Sequence, residues 1–162
     1  MNSNALDDSR RAYHNGYYVK KLEEGLEFQD VATTALYQRG IVVVAYSSRR
    51  WQDKLGENML GAEIKRDGKF RQTGNLYIET AEKSHPDNPV YVPSGIMRSD
   101  NSWLYVIGDE KTLYVFSVKY LRKLAGRFKS IVTPTSRAFL IPIPDADNYC
   151  ICLLYTSPSP RD

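Results

Sequence analysis

The residues best suited to chemistry lie in Gly56-Glu57-Asn58-Met59-Leu60-Gly61-Ala62-Glu63-Ile64-Lys65-Arg66-Asp67, with Thr73-Gly74-Asn75-Leu76-Tyr77-Ile78-Glu79 after it. Alternate residues of a strand point to one face. Glu63, Lys65 and Asp67 therefore share a face, and Ala62 and Ile64 share the other. Acids next to a lysine suit chemistry on a phosphate held by a cation. Carboxylate oxygens ligate hard cations, and an ammonium offsets negative charge that builds during reaction.

A loop over residues 68–74 predicts an antiparallel hairpin joining the two stretches. Its symmetric register pairs Asp67 with Asn75, Lys65 with Tyr77 and Glu63 with Glu79. Facing glutamates repel, so this pairing asks for a cation between them, Mg²⁺ (or Mn²⁺), or for Lys65 beside them. A slip of one residue turns the acids to the other face.

The elements that must position these residues follow from periodicity. Between Lys20 and Gln38, Phe28, Val31, Ala32, Ala35 and Leu36 fall at helical spacing and predict an amphipathic helix. Glu27 sits at the edge of that stripe. Gly25 is a candidate start and Gly40 a candidate stop. The β-branched run Ile41 to Tyr46 predicts a strand buried on both faces. Ser47 to Leu55 reads as a polar loop around Trp51. Met59 to Asp67 and Asn75 to Lys83 read as strands, Ser84 to Pro93 as a loop, and Ser94 to Asn101 as a short helix or turn. Trp103 to Ile107 and Leu113 to Val118 are strands joined by the hairpin loop Gly108-Asp109-Glu110-Lys111. Tyr120 to Phe128 reads as a helix, and Ala138 to Ile143 as a last strand. Central strands with flanking helices predict an α/β (α+β) fold built on a mixed sheet.

The 162 residues make one domain's worth of chain. Hydrophobic residues are 42% and charged residues 25%, enough for a packed core. The net charge of +3 permits a nucleic-acid partner without requiring one. No apolar run reaches the roughly 18 residues of a membrane span, and the start does not look like a signal peptide. Cys150 and Cys152 are too few and too close for a disulfide framework, and a cytoplasmic protein is the simple expectation. The polar residues 1–16 read as a flexible arm or short helix, and 17–151 as the single domain. Cys152 to Asp162 resembles a translated sequencing-library adapter. It is read as a non-native tail outside the fold, with the natural chain cut near Ile151.

The spacing Glu57-x5-Glu63-x-Lys65 resembles the signature of the PD-(D/E)XK nuclease superfamily. The longer string from Glu63 to Glu79, continued by Pro93-Ser94-Gly95-Ile96 and Trp103, is similar to phage and bacterial members of that group. The resemblance covers roughly Leu26 to Val118. It implies a restriction-endonuclease-like αβββαβ core and Mg²⁺-dependent (or Mn²⁺-dependent) hydrolysis of DNA, duplex or branched. It also allows a homodimer. The pattern departs from the usual one in having Glu57 in place of Asp, with no preceding Pro. An unbroken strand would put Glu57 about 20 Å from Glu63. Either the chain turns at Asn58 to Gly61, or Glu79 replaces Glu57 as the second ligand.

The roles implied are metal ligation by Glu63 with Glu57 or Glu79, charge stabilisation by Lys65, and water orientation by Glu27. Arg66, Lys69, Arg71 and Arg98 are the candidate phosphate contacts. Two other functions stay open: a non-catalytic nucleic-acid-binding or assembly protein on the same fold, and a junction resolvase or RNA nuclease.

Overall fold

Helix α1 (Ser3–Tyr37) opens the fold; its 35 residues span about 52 Å at 1.5 Å each. The computed structural model describes residues 3–156, and for 3–15, 17, 18 and 21 the backbone alone. Phe28, Ala32, Ala35 and Leu36 are buried, as their spacing predicts. They pack against Ala62, Ile64, Leu104 and Val106. The helix begins well before Lys20 and runs through Gly25. It takes in residues 3–16, whose polarity suggested an arm or short helix. Val19, Leu22 and Leu26, ahead of that packed stretch, stay exposed. Gly40 closes it with φ of +79°, and the Ile41 amide donates to the Leu36 carbonyl.

The run Ile41 to Tyr46 corrects the sequence expectation. Its backbone is extended but joins neither sheet, and its only ladder contact is the bridge between Ala45 and Asn58. Ile41 and Val43 touch the core under α1, while Val42 and Val44 face solvent. β-branched residues favour extended backbone, but two-sided burial also needs layers above and below, and here only one is present.

Next come α2 (Arg49–Leu55), β1 (Ala62–Arg66), α3 (Phe70–Thr73), β2 (Asn75–Glu82) and β3 (Val92–Pro93). A 3-10 turn (Gly95–Met97) leads to β4 (Leu104–Gly108), β5 (Thr112–Ser117) and α4 (Val118–Leu124). The chain closes with β6 (Ser130–Val132), β7 (Ser136–Pro142), α5 (Ile143–Tyr149) and β8 (Cys152–Tyr155). The strands form two four-stranded sheets, ordered β1-β4-β5-β8 and β3-β2-β7-β6. The first is mixed, because β1 runs parallel to β4 while β5 is antiparallel to both its neighbours. The second is antiparallel. This is the α+β class expected from the sequence.

The hairpin of β1 with β2 does not form. β1 pairs with β4, setting Glu63 opposite Tyr105 and Lys65 opposite Ile107. β2 pairs with β7, setting Glu79 opposite Ala138. The connector explains this: Phe70 is buried and meets Tyr114 edge-on at 6.0 Å. A tight hairpin loop would leave that ring in water, at a loss of about 1.5–3 kcal/mol of burial.

The main core lies where the two sheets meet. Tyr105, Ile107, Tyr114 and Phe116 come from the first, and Leu76, Ile78, Phe139 and Ile141 from the second. Leu121 and Leu124 of α4 close it, as their spacing predicts. The expectation that the tail stands outside the fold is corrected for Cys152–Tyr155, which form β8 on β5 with Leu154 buried. Alternation puts one apolar side chain inward, enough to seat an edge strand. Residues 157–162 of that tail, and Met1 and Asn2 of the arm, lie outside the described residues. No described helix is long and apolar enough to cross a membrane.

Candidate active site

The site starts with a turn. Asn58 is buried, and its side chain bonds Ala62 twice: Nδ2 donates to the Ala62 carbonyl at 2.6 Å, and Oδ1 accepts the Ala62 amide at 3.0 Å. Gly61 completes the reversal with φ of +72°, a conformation that a side chain resists. The chain thus folds back between Glu57 and Glu63. The Ile64 amide donates to the Glu57 carboxylate, on the edge of β1 that no strand covers. The separation that an unbroken strand would impose does not arise.

Alternation along β1 sends Ala62 and Ile64 towards α1 and Glu63 and Lys65 to the other face. Nζ of Lys65 stands 3.1 Å from Oε1 of Glu63 and 4.0 Å from Oε1 of Glu57. Glu79 arrives from the second sheet, just before the irregularity that follows it in β2. Ser94 Oγ donates to Glu79 Oε1, and Gly95, at φ of +51°, lies tight against the Glu79 carbonyl. Glu57, Lys65 and Glu79 line a cavity of about 1100 Å³ between β1, β2 and the middle of α1; Glu63 sits behind them.

Burial, reinforced by the charge of Glu63, holds Glu57 above the usual carboxylate range despite the opposing pull of Lys65. Burial raises Glu79 too, against its bond from Ser94 and the charge of Lys65. Burial alone would lower the Lys65 ammonium; Glu63 first and Glu57 next outweigh it and leave it raised. Burial, then Glu63 and Glu79, hold the Tyr105 hydroxyl well above its ordinary range. Among the described residues one buried side-chain oxygen lacks a partner: Glu63 is 2% exposed, and its Oε2 has no hydrogen bond.

That orphan oxygen, flanked by two more carboxylates, is a hard-oxygen donor set of the sort divalent cations take. Glu63, Glu57 and Glu79 are therefore the residues that would hold Mg²⁺ or Mn²⁺. Among the described residues no three acids, histidines or cysteines are already gathered as a metal-holding group. It is the Lys65 ammonium that the acids surround.

A pH dependence follows. Because Glu57 and Glu79 are raised, the native protein binds their protons more readily than the unfolded chain does. Their contribution to stability thus falls as pH rises from the ordinary value of 4.5 through the folded ones. The raised Lys65 contributes stability below its ordinary value of 10.5 that is lost above the folded one. Glu79→Gln keeps an acceptor for Ser94 and removes the charge. It is expected to raise the melting temperature at pH 7, with the gain fading near pH 4. A gain of equal size at both pH values would trace to something other than ionisation.

Of the remaining candidates, Arg66 and Lys69 line the same cavity, and Glu27, Arg71 and Arg98 do not. Glu27 is exposed on α1 and is not on the cavity wall, where Glu24, Gly25 and Gln29 stand instead. Arg66 pairs with Glu110 at 2.6 Å and Glu24 at 3.3 Å. Arg71 pairs with Asp109 at 2.5 Å and borders a different, smaller cavity. Arg98 pairs with Asp100 at 3.3 Å and donates to the Gln52 carbonyl. Lys69 lines the main cavity and is exposed. Sequence reasoning missed Ser94, Tyr105 and the structural role of Asp67, whose Oδ2 accepts the Tyr77 amide at 2.9 Å and ties β1 to β2. A polar residue directly after a proline, as Ser94 is, was the one available signal.

No family model matches the chain, and no curated protein or solved structure matches it.

Proposed function

We propose that this protein is a metal-dependent nuclease that hydrolyses DNA phosphodiester bonds. The observation that carries the reading is Glu63: a buried carboxylate with an unpartnered oxygen, held beside Lys65 and neighboured by Glu57 and Glu79 at the wall of a large cavity. The sequence resemblance to PD-(D/E)XK nucleases supports the same reading. A divalent cation, when bound, supplies positive charge for the phosphate oxygens and lowers the pKa of water. Whichever of Glu57 and Glu79 does not hold the cation is placed to accept the proton of an attacking water. The water oxygen attacks phosphorus, the bond to the leaving oxygen breaks, and that oxygen takes up a proton from solvent water. Lys65 places an ammonium where negative charge builds on the phosphate.

A second reading, a DNA-binding protein without chemistry, has one observation in its favour. Lys65 is already paired with Glu63 and Glu57, so its ammonium has partners without a phosphate or a cation. Supercoiled and branched DNA incubated with Mg²⁺, Mn²⁺ or EDTA separates the two. The nuclease reading expects cleavage with metal, none in EDTA, and a loss of about 10²–10³-fold in Lys65→Ala. Cleavage that survives Lys65→Ala unchanged, or DNA binding with no product under any metal, overturns it.

A further inference from the structure

Helix α2 has seven residues and buries none of them. Surface burial is therefore not what holds it. Its backbone is pinned from one side: the Gln52 carbonyl accepts Arg98 at 2.9 Å, and the Leu55 carbonyl accepts the Asn101 amide at 2.9 Å. Gln52 Nε2 also donates to the Tyr46 carbonyl at 2.7 Å. The rest of the helix surface carries Arg49, Arg50, Trp51 and Lys54, all exposed, against the single acid Asp53. Trp51 leaves 48% of its surface open, and the Lys54 ammonium lies 5.6 Å from the ring centre.

These cations differ from the arginines read as phosphate contacts in the sequence. Arg66, Arg71 and Arg98 are each engaged by a carboxylate. Among the described residues Arg49, Arg50 and Lys54 have no carboxylate partner; Arg49 and Arg50 are exposed, and Lys54 lies over the Trp51 ring. Position adds to this. Four helical residues and two more link Trp51 to Glu57, so their Cα atoms are at most about 14 Å apart.

We propose that α2 is the strand-holding element of the site: Arg49, Arg50 and Lys54 take backbone phosphates of single-stranded DNA, and Trp51 stacks on an unpaired base beside Glu57. Charge complementarity selects a polyanion. The open indole selects a base whose face is free, since a base inside a duplex is already covered by its neighbours. Duplex DNA meets only the charge. This deepens the nuclease reading by naming a single-stranded segment, at a branch or a free end, as what enters the site.

The test is binding without chemistry. Fluorescently labelled oligothymidylate of about fifteen nucleotides is titrated with the full chain in EDTA, by anisotropy, over a series of salt concentrations. Trp51→Ala is expected to weaken binding about tenfold or more. Arg49→Ala with Arg50→Ala is expected to flatten the salt slope by about 1.4, at about 0.7 for each single-strand phosphate no longer neutralised. A duplex of the same length should bind more weakly and ignore Trp51→Ala. All three residues are exposed, and thermal melts verify that the variants fold. Unchanged affinity in Trp51→Ala, or a wild-type preference for duplex, overturns the proposal. Because no metal is present, α2 binding can hold while cleavage fails, which would retire the nuclease reading alone. Cleavage that depends on Lys65 with no contribution from Trp51 would retire this one alone.

Discussion

Glu63→Gln is expected to lower metal-dependent cleavage by about 10²–10³-fold and to weaken Mn²⁺ binding, while the protein stays folded. The substitution keeps the shape of the side chain and removes its charge. Glu63 is the least exposed of the three acids, and among the described residues its Oε2 is a fully buried side-chain oxygen with no hydrogen-bond partner. A carboxylate oxygen without a partner is costly to bury, so a fold keeps one for a ligand more readily than for stability. The fold survives because Lys65 remains partly exposed, at 40%, and keeps Glu57 as a second partner at 4.0 Å. Calorimetric titration with Mn²⁺ and a cleavage assay read the two effects separately. Wild-type Mn²⁺ affinity in Glu63→Gln would remove it from the ligand set, and wild-type cleavage would remove it from the chemistry.

Gly61→Ala is expected to destabilise the protein by about 2–4 kcal/mol, combining the left-handed backbone penalty with overpacking. A Cβ there would stand 2.4 Å from the Asn101 carbonyl oxygen and 2.9 Å from the Trp103 ring. Neither neighbour can yield easily, because the Gly61 carbonyl accepts both the Trp103 and Leu104 amides. In a chain of this size the melting temperature should fall by roughly ten degrees. Gly126→Ala is the matched control: its added Cβ meets nothing within 4 Å, and its φ is not positive. Equal melting curves for the two variants would show that the turn tolerates a side chain. Gly61 lies inside the reversal that brings Glu57 to Lys65, so the same substitution should also reduce cleavage.

What was legible in the sequence was local. The spacing of Phe28, Ala32, Ala35 and Leu36 identifies the packed half of α1, since one turn of helix fixes which residues share a face. The loop Gly108 to Lys111 identifies the β4–β5 hairpin, and alternation correctly separates Glu63 and Lys65 from Ala62 and Ile64. Pairings between distant segments left no comparable mark. Nothing in Ala62–Arg66 announces a parallel partner at Leu104–Gly108, so the nearer strand β2 was the natural but mistaken choice. The β-branched run from Ile41 misled because propensity reports backbone preference and not the presence of covering layers. Of the candidate site, Glu57, Glu63, Lys65 and Glu79 come together as a group, although through a turn and a second sheet and not through a hairpin. The carboxylate partners of the arginines were not legible, because an ion pair such as Arg66 with Glu110 joins residues far apart in the chain.

The two sheets also set an order in which the site can assemble. Glu57, Glu63 and Lys65 sit on one short reversal whose closure loses little chain entropy. Glu79 takes its place only once β2 has found β7, whose Ala138 faces it across a long stretch of chain. Pairings of large sequence separation are slow to form. The lysine and its first two carboxylates are therefore expected to meet early in folding, with Glu79 joining them from the second sheet afterwards.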